Sequence, residues 1–292
     1  MNPRALGALA LTIALGLGAW AWTRTRTHAI PPSQVATPRL VSLAPAVSET
    51  LMALGAGEQL VAVSDYCADA RKLPRVGSAI TPNYEAIARA RPTRILATQV
   101  GGSQLAPLTR IAPTTELPWL SVAEASASVR RLGELTGQNS RGNALAARFA
   151  KVLDVEPPPS GPRVLVLIGD AGAGTSSYWF IKRDSLHGAL LHAAGARNAV
   201  PDAVMGAPRI SVEELLRLDP DAVVIFGADT RGPASVEPLL AELRKLEPLR
   251  AVKANRLGAL VAPELLGSGP ALLDFVEPLR TEIARLLARP TP

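Results

Sequence analysis

The side chains with the most chemistry in them are few and far apart. Cys67 is the only cysteine; Tyr66 is next to it, and Asp65 and Asp69 are close by. A thiolate there could ligate a metal or react, but a lone cysteine without a charged setting reads first as a small, inert buried residue. His187 and His192 are five residues apart, off the i, i+4 spacing that puts two ligands on one helical face, so they read as core or surface histidines. A glycine-rich run, Gly169-Asp-Ala-Gly-Ala-Gly-Thr175, follows a strand-like stretch and invites a phosphate-loop reading. It carries neither the Lys of a Walker A loop nor G-x-G-x-x-G spacing, and reads instead as a place of close ligand or backbone approach. H-E-x-x-H and G-x-S-x-G do not occur, and Asp65 and Asp69 make no recognisable acid–base pair. Neither a metal site nor an enzyme's machinery is expected. Aromatic residues are only 4% of the chain, so each one counts as a clue.

The elements that would position these residues alternate between strand and helix. Arg39 to Ala44, Gln59 to Ser64 and Arg94 to Thr98 read as buried strands. Between them, helical stretches open at Ser48-Glu49-Thr50 and at Tyr84, closing at Leu54-Gly55 and before Pro92. The plan repeats with a strand at Arg163 to Ile168, helices at Leu186 to Gly195 and Ser211 to Leu218, and a strand at Asp221 to Phe226. Glu85, Arg89 and Pro92 recur 128 residues later as Glu213, Arg217 and Pro220, and Leu51-Met-Ala-Leu-Gly55 is echoed by Leu191-His-Ala-Ala-Gly195. Such alternation predicts an α/β fold of two lobes with parallel sheets, residues 38–138 and 157–292. Between them, Ser121 to Val155 has apolar residues at helical spacing, interrupted near Gly137. Asn139 or Ser140 could cap a second segment over 139–156. At 1.5 Å per residue a 16-residue helix spans about 24 Å, enough to join two lobes rigidly. Ligands of such sheets bind at the carboxyl ends of the strands, in the cleft the lobes leave between them.

Composition sets the outer limits. The chain has 292 residues, 48% hydrophobic and 19% charged, which fits one large or two ordinary packed domains. One cysteine excludes a disulfide framework. The net charge of +6 comes from 26 Arg and 5 Lys scattered among 25 acids, with no run of five like charges, so nucleic acid is not the expected partner. Residues 1–22 combine an early Arg4, an uncharged run from Ala5 to Trp22 and a small-x-small site at Ala19-Trp-Ala21. They read as a secretory signal peptide, or as an uncleaved anchor at the lower length limit for spanning about 30 Å of hydrocarbon. Residues 23–37 read as a flexible linker.

The set Arg39-Leu-Val-Ser-Leu-Ala-Pro45, Glu49-Thr50, Leu54-Gly-Ala-Gly57, Val61-Ala-Val-Ser-Asp-Tyr66, Leu73-Pro-Arg-Val-Gly77 and Pro82-Asn-Tyr-Glu85 resembles the periplasmic binding proteins of ABC importers for metal chelates. The likeness continues through Arg197-Asn198, Ile210-Ser-Val-Glu213 and Asp219-Pro-Asp221 and covers most of residues 38–288 in order. It implies two Rossmann-like lobes bridged by one long rigid helix, with little closure on ligand. It also implies a monomer that takes up cobalamin, an iron-siderophore or haem in the periplasm and hands it to a permease and its ATPase, with no cofactor of its own. Glu85 and Glu213 match the positions that dock the permease. Tyr66 and the Tyr178-Trp179-Phe180 run match places where cobalamin-binding members stack aromatic rings on the corrinoid. Where those members carry Trp, this chain has Ala79, Gln99 and Ala207. The last cleft loop, Ala262-Pro-Glu-Leu-Leu-Gly267, lacks the Asp and Arg those members carry, and the candidate ligand-binding residues are Tyr66, Gln99, Tyr178, Trp179, Arg209 and Glu264. Arg209, Lys182 and Arg183 could serve an anionic siderophore or be solvated loop charges. A membrane-anchored sensor of the same fold is the alternative from another class.

Overall fold

The computed structural model describes residues 37–67, 72–98, 102–169, 177–201, 208–229 and 232–288. The segments read as signal peptide and linker, the residues Gln99, Asp69 and Ala207, and most of the glycine-rich run lie outside them. The described residues from Pro38 onward form one compact unit. Its first lobe runs β1 (Leu40–Ser42), α1 (Pro45–Ala53), β2 (Leu60–Val63), α2 (Tyr84–Arg89), β3 (Arg94–Ala97), α3 (Gly102–Ile111) and β4 (Thr114–Glu116). Then come α4 (Val122–Thr136) and α5 (Asn139–Leu153). The second lobe runs β5 (Arg163–Ile168), β6 (Ser177–Trp179), α6 (Leu186–Ala193), β7 (Arg197–Asn198), β8 (Arg209–Ser211), α7 (Val212–Leu218), β9 (Ala222–Gly227), α8 (Glu237–Leu243), α9 (Arg250–Lys253), β10 (Leu257–Val261) and α10 (Val276–Leu287). Among the described residues there are two separate four-stranded parallel sheets, ordered β2-β1-β3-β4 and β10-β9-β5-β7. β6 and β8 pair antiparallel on their own.

The halves echo each other down to single backbone angles. Gly55 and Gly195, each just past the end of its helix, have φ of 74° and 90°. Only glycine takes that conformation freely, and it closes the helix end. Arg91 and Asp219, 128 residues apart, both carry positive φ just before a proline. The proline disfavours the right-handed helical conformation in the residue before it, so neither helix can run on.

Strand alternation divides the core into three. Val164 and Val166 of β5 and Val224 and Phe226 of β9 face one cluster, whereas Leu165, Leu167, Val223 and Ile225 face another. In the first lobe Leu40 and Leu96 face the same central cluster, and Val41, Ile95 and Ala97 face a third. Each sheet is thus buried on both faces, as parallel sheets require. The central cluster belongs to both lobes at once. It runs from Val47 and Leu51 through Val129, Leu132 and Phe149 to Leu190, Leu191 and Leu279.

The helical pair α4 and α5 lies across that shared core. Ser121 caps α4 in a reciprocal box with Glu124, and Gly137 ends it at φ 72°. The start of α5 differs from expectation: Gln138 occupies the cap with no side-chain hydrogen bond, and Asn139 is already helical. The two helices approach at Gly133 and Gly142, where a Cβ on Gly142 would stand 2.9 Å from the Gly133 Cα. α5 is tied to both lobes. Arg141 Nη1 donates to the Leu54 carbonyl at 3.0 Å, and Arg148 pairs with Asp274 at 2.6 Å. Among the described residues no helix is long and apolar enough to cross a membrane.

Candidate functional site

The carboxyl ends of β1, β3 and β4 open onto a cavity of about 480 Å³, closed on its far side by the 266–268 loop of the second lobe. That volume lies within the range of small-molecule sites, roughly 300–1,000 Å³. Ala44, Thr98, Pro118, Trp119 and Leu120 contribute from the first lobe, and Leu266 to Ser268 from the second. Trp119 is the strut between them. Its indole Nε1 donates to the Ser268 carbonyl at 2.7 Å, while its ring meets Phe149 edge-on at 6.5 Å. Leu120 beside it is 64% exposed.

Buried polar groups hold the second-lobe side of this floor. His187 on α6 hydrogen-bonds the Leu265 carbonyl through Nε2 at 2.9 Å. Burial keeps its pKa below the ordinary histidine value, although backbone hydrogen bonds to Leu265 and Gly267 oppose that shift; the Leu265 carbonyl can only accept, so Nε2 is the donor in that bond. Glu49 of α1 reaches toward the same loop. A Cβ at Gly269 would collide with its Oε2, a buried atom without a hydrogen-bond partner among the described residues. Burial, and then the charge of Glu264, raise the Glu49 pKa.

The residues singled out in the sequence occupy other places. Tyr66 follows β2 and is 76% exposed. Cys67 turns the other way: it is buried, 3.1 Å from Ser48 Oγ, and burial pushes its thiol pKa up, which suits an inert residue. Trp179 is half-buried on β6, with the Arg209 guanidinium 5.3 Å from its ring centroid. The two residues are direct cross-strand neighbours, so Arg209 first of all covers one face of the indole.

Tyr178 departs from the expected ligand set. Strand alternation points it opposite to Trp179, and it sits 5% exposed in the second lobe's outer core with Leu167 and Ile210. Glu264 is exposed on the loop leading to the cavity. None of Tyr66, Tyr178, Trp179, Arg209 or Glu264 lines the cavity, which forms the floor between the lobes. Lys182 and Arg183 precede α6, away from that floor, and Arg183 Nη1 binds the Pro201 carbonyl at 2.6 Å.

Glu85 and Glu213 each stand in the first turn of a short capped helix and are exposed. Glu85 pairs with Arg89 at 2.5 Å. In the second lobe Arg217 turns instead to Glu214 at 3.8 Å, leaving Glu213 without an ion pair among the described residues. Two residues lining the cleft escape the sequence reading, Trp119 and Leu120.

Comparison with known proteins decides the class. A family model described as periplasmic binding protein matches residues 40–262. The chain belongs to the periplasmic binding protein family. Members bind a solute in the periplasm and deliver it to an ABC transporter, and this binding protein does the same with a small-molecule ligand. The vitamin B12-binding protein of Pectobacterium atrosepticum is 31% identical over 209 residues, covering 66% of this chain and 73% of its own. A periplasmic heme binding protein from Pseudomonas aeruginosa superposes with a TM-score of 0.68 at 28% identity, over 84% of this chain and 92% of that one. The periplasmic vitamin B12 binding protein BtuF of Vibrio cholerae has the same fold, with a TM-score of 0.68 at 23% identity over 86% and 98% of the two chains.

Proposed function

We propose that this periplasmic binding protein carries a flat metal chelate, a cobalt corrinoid first of all, between its two lobes. The observation that carries the reading is a cleft floor of about 480 Å³ between the lobes, lined mostly by apolar residues together with Glu116, Glu124 and Ser268; Tyr66 and Trp179, one ring from each lobe and neither of them part of that floor, are the rings assigned here to the ligand. A flat macrocycle gains most from stacking on such rings, and no group of three or more metal-ligating residues exists among the described residues to hold a bare ion. The similarity to vitamin B12-binding proteins supports the corrinoid, and the similarity to the Pseudomonas heme binding protein supports haem as the second reading. The protein binds its cargo without turnover, works as a monomer exported by residues 1–22, and presents Glu85 and Glu213 to its permease.

Parallel tryptophan-fluorescence titrations with cobalamin, cobinamide, haemin and a ferric siderophore test the assignment. Saturable quenching by the corrinoids at the lowest concentration is the expected result. Tighter binding of haemin transfers the assignment to haem, and no saturable binding of any chelate overturns it.

A further inference from the structure

A second cavity, of about 240 Å³, opens on the second lobe at the outer edge of its sheet. Its walls carry Arg163, Arg183, His192 and Arg197. Arg163 opens β5 and Arg197 opens β7, and the two are register partners across the parallel pair, so their side chains emerge side by side. That is the amino-terminal end of the strands, opposite the end from which the cleft is built. His192 comes from the last turn of α6 and Arg183 from the loop before that helix.

Neutral carbonyls hold the three guanidiniums in place. Arg163 Nη2 donates to the Leu218 carbonyl at 2.8 Å, Arg197 Nε to that of Gly161 at 2.8 Å, and Arg183 Nη1 to that of Pro201 at 2.6 Å. None of the three side chains forms an ion pair among the described residues. One acid offsets part of the charge: burial raises the Asp219 pKa, but hydrogen bonds and charge from Arg250 and, last, the charge of Arg163 bring it down overall. Asp221 accepts from the Arg163 backbone N–H and is paired with Arg250, as is Asp219. Glu156 and Asp184 are exposed and line no part of the cavity. The positive charge has an effect inside the molecule: burial first, and then Arg183, hold the His192 pKa down, with Glu156 opposing.

We propose that this cavity is a binding site for a phosphate oxyanion, distinct from the interlobe cleft and independent of what the cleft carries. Three guanidiniums around one cavity, two side by side from neighbouring strands and one from the loop before α6, offer more donors than a carboxylate can use and suit an oxyanion with several acceptor oxygens. Each keeps N–H donors beyond those spent on the carbonyls, and the anion relieves their mutual repulsion. Free phosphate and the phosphate of an anionic lipid headgroup share this chemistry.

The test uses the whole mature protein. Isothermal titration with inorganic phosphate should show one saturable site, weakened at least about tenfold in Arg183→Gln and in Arg197→Gln. Arg183 is exposed, so its variant should keep the parent's thermal midpoint and decides the matter if Arg197→Gln fails to fold. Co-sedimentation with phosphatidylglycerol vesicles, against phosphatidylcholine vesicles, separates the two sources. Pelleting that Arg183→Gln abolishes assigns the headgroup, and phosphate binding without pelleting assigns the free anion. Absence of saturable binding to both probes, or binding that neither substitution weakens, overturns the site.

Discussion

Tyr178 and Trp179 are adjacent, and their fates differ because a strand sends consecutive side chains to opposite faces. The sequence presents both as rings after a strand; which one faces inward depends on the three-residue pairing of β6 with β8, too short to read as a pattern. Trp179→Ala should therefore weaken chelate binding by about 1–3 kcal/mol while leaving the thermal midpoint nearly unchanged, since the ring is only partly buried and rests chiefly against Arg209. Tyr178→Ala should do the reverse, lowering stability by roughly 3–5 kcal/mol through a cavity in the outer core. Calorimetric titration and urea unfolding of both variants check the pair. An unchanged dissociation constant for Trp179→Ala would reduce that residue to lip packing. Trp119 shows the opposite kind of illegibility. Its partner, the Ser268 carbonyl, is 149 residues away, and the preceding strand is the polar Thr114–Glu116, which carries no apolar signal.

Elements with strong local signals were legible. β5 spans the residues expected of it, and the break between the two connecting helices falls at Gly137 because the left-handed conformation there suits glycine. Elements whose shape depends on distant partners were not: α3 contains Pro107, and β6, β7 and β8 have two or three residues each. The packing of α4 on α5 belongs to this second group, because two glycines nine residues apart in sequence reveal a contact only once the chain turns back at 137–138. Gly142→Ala puts two effects in opposition. Alanine favours an exposed helix interior by about 1 kcal/mol over glycine. Here its Cβ would press on the Gly133 Cα at 2.9 Å and the Val129 carbonyl oxygen at 3.3 Å, both backbone and unable to swing aside. Overpacking costs about 1–3 kcal/mol and should win. The urea midpoint of Gly142→Ala should fall, and a rise would mean the helices separate without penalty.

The central core decides how the whole molecule behaves. Because Leu51, Phe149 and Leu190 belong to one cluster, closing or opening the cleft widely would expose the apolar surface that joins the lobes. α5 adds polar ties at Arg141 and Arg148, one to each lobe. The distance between Glu85 and Glu213 is then nearly constant, and two charges at constant separation can act as a gauge for a partner with matching cations. Such rim charges chiefly set association rate and register, and salt screens them beyond about 8 Å at physiological ionic strength. The two are unequal. Glu85 shares its charge with Arg89 in an exposed pair, a weak interaction that a docking partner would partly undo, whereas Glu213 has no ion pair among the described residues. Glu213→Ala should therefore slow association with the transporter more than Glu85→Ala does. The double variant should slow it about tenfold at low ionic strength, with the gap from the parent closing as salt is added. Chelate affinity should be unaffected in all three, since neither residue lines the floor of the cleft. Stopped-flow association with reconstituted permease, run across a salt series beside calorimetric titration of the ligand, reads both quantities. Equal association rates for parent and double variant at low salt would remove the two carboxylates from the docking surface.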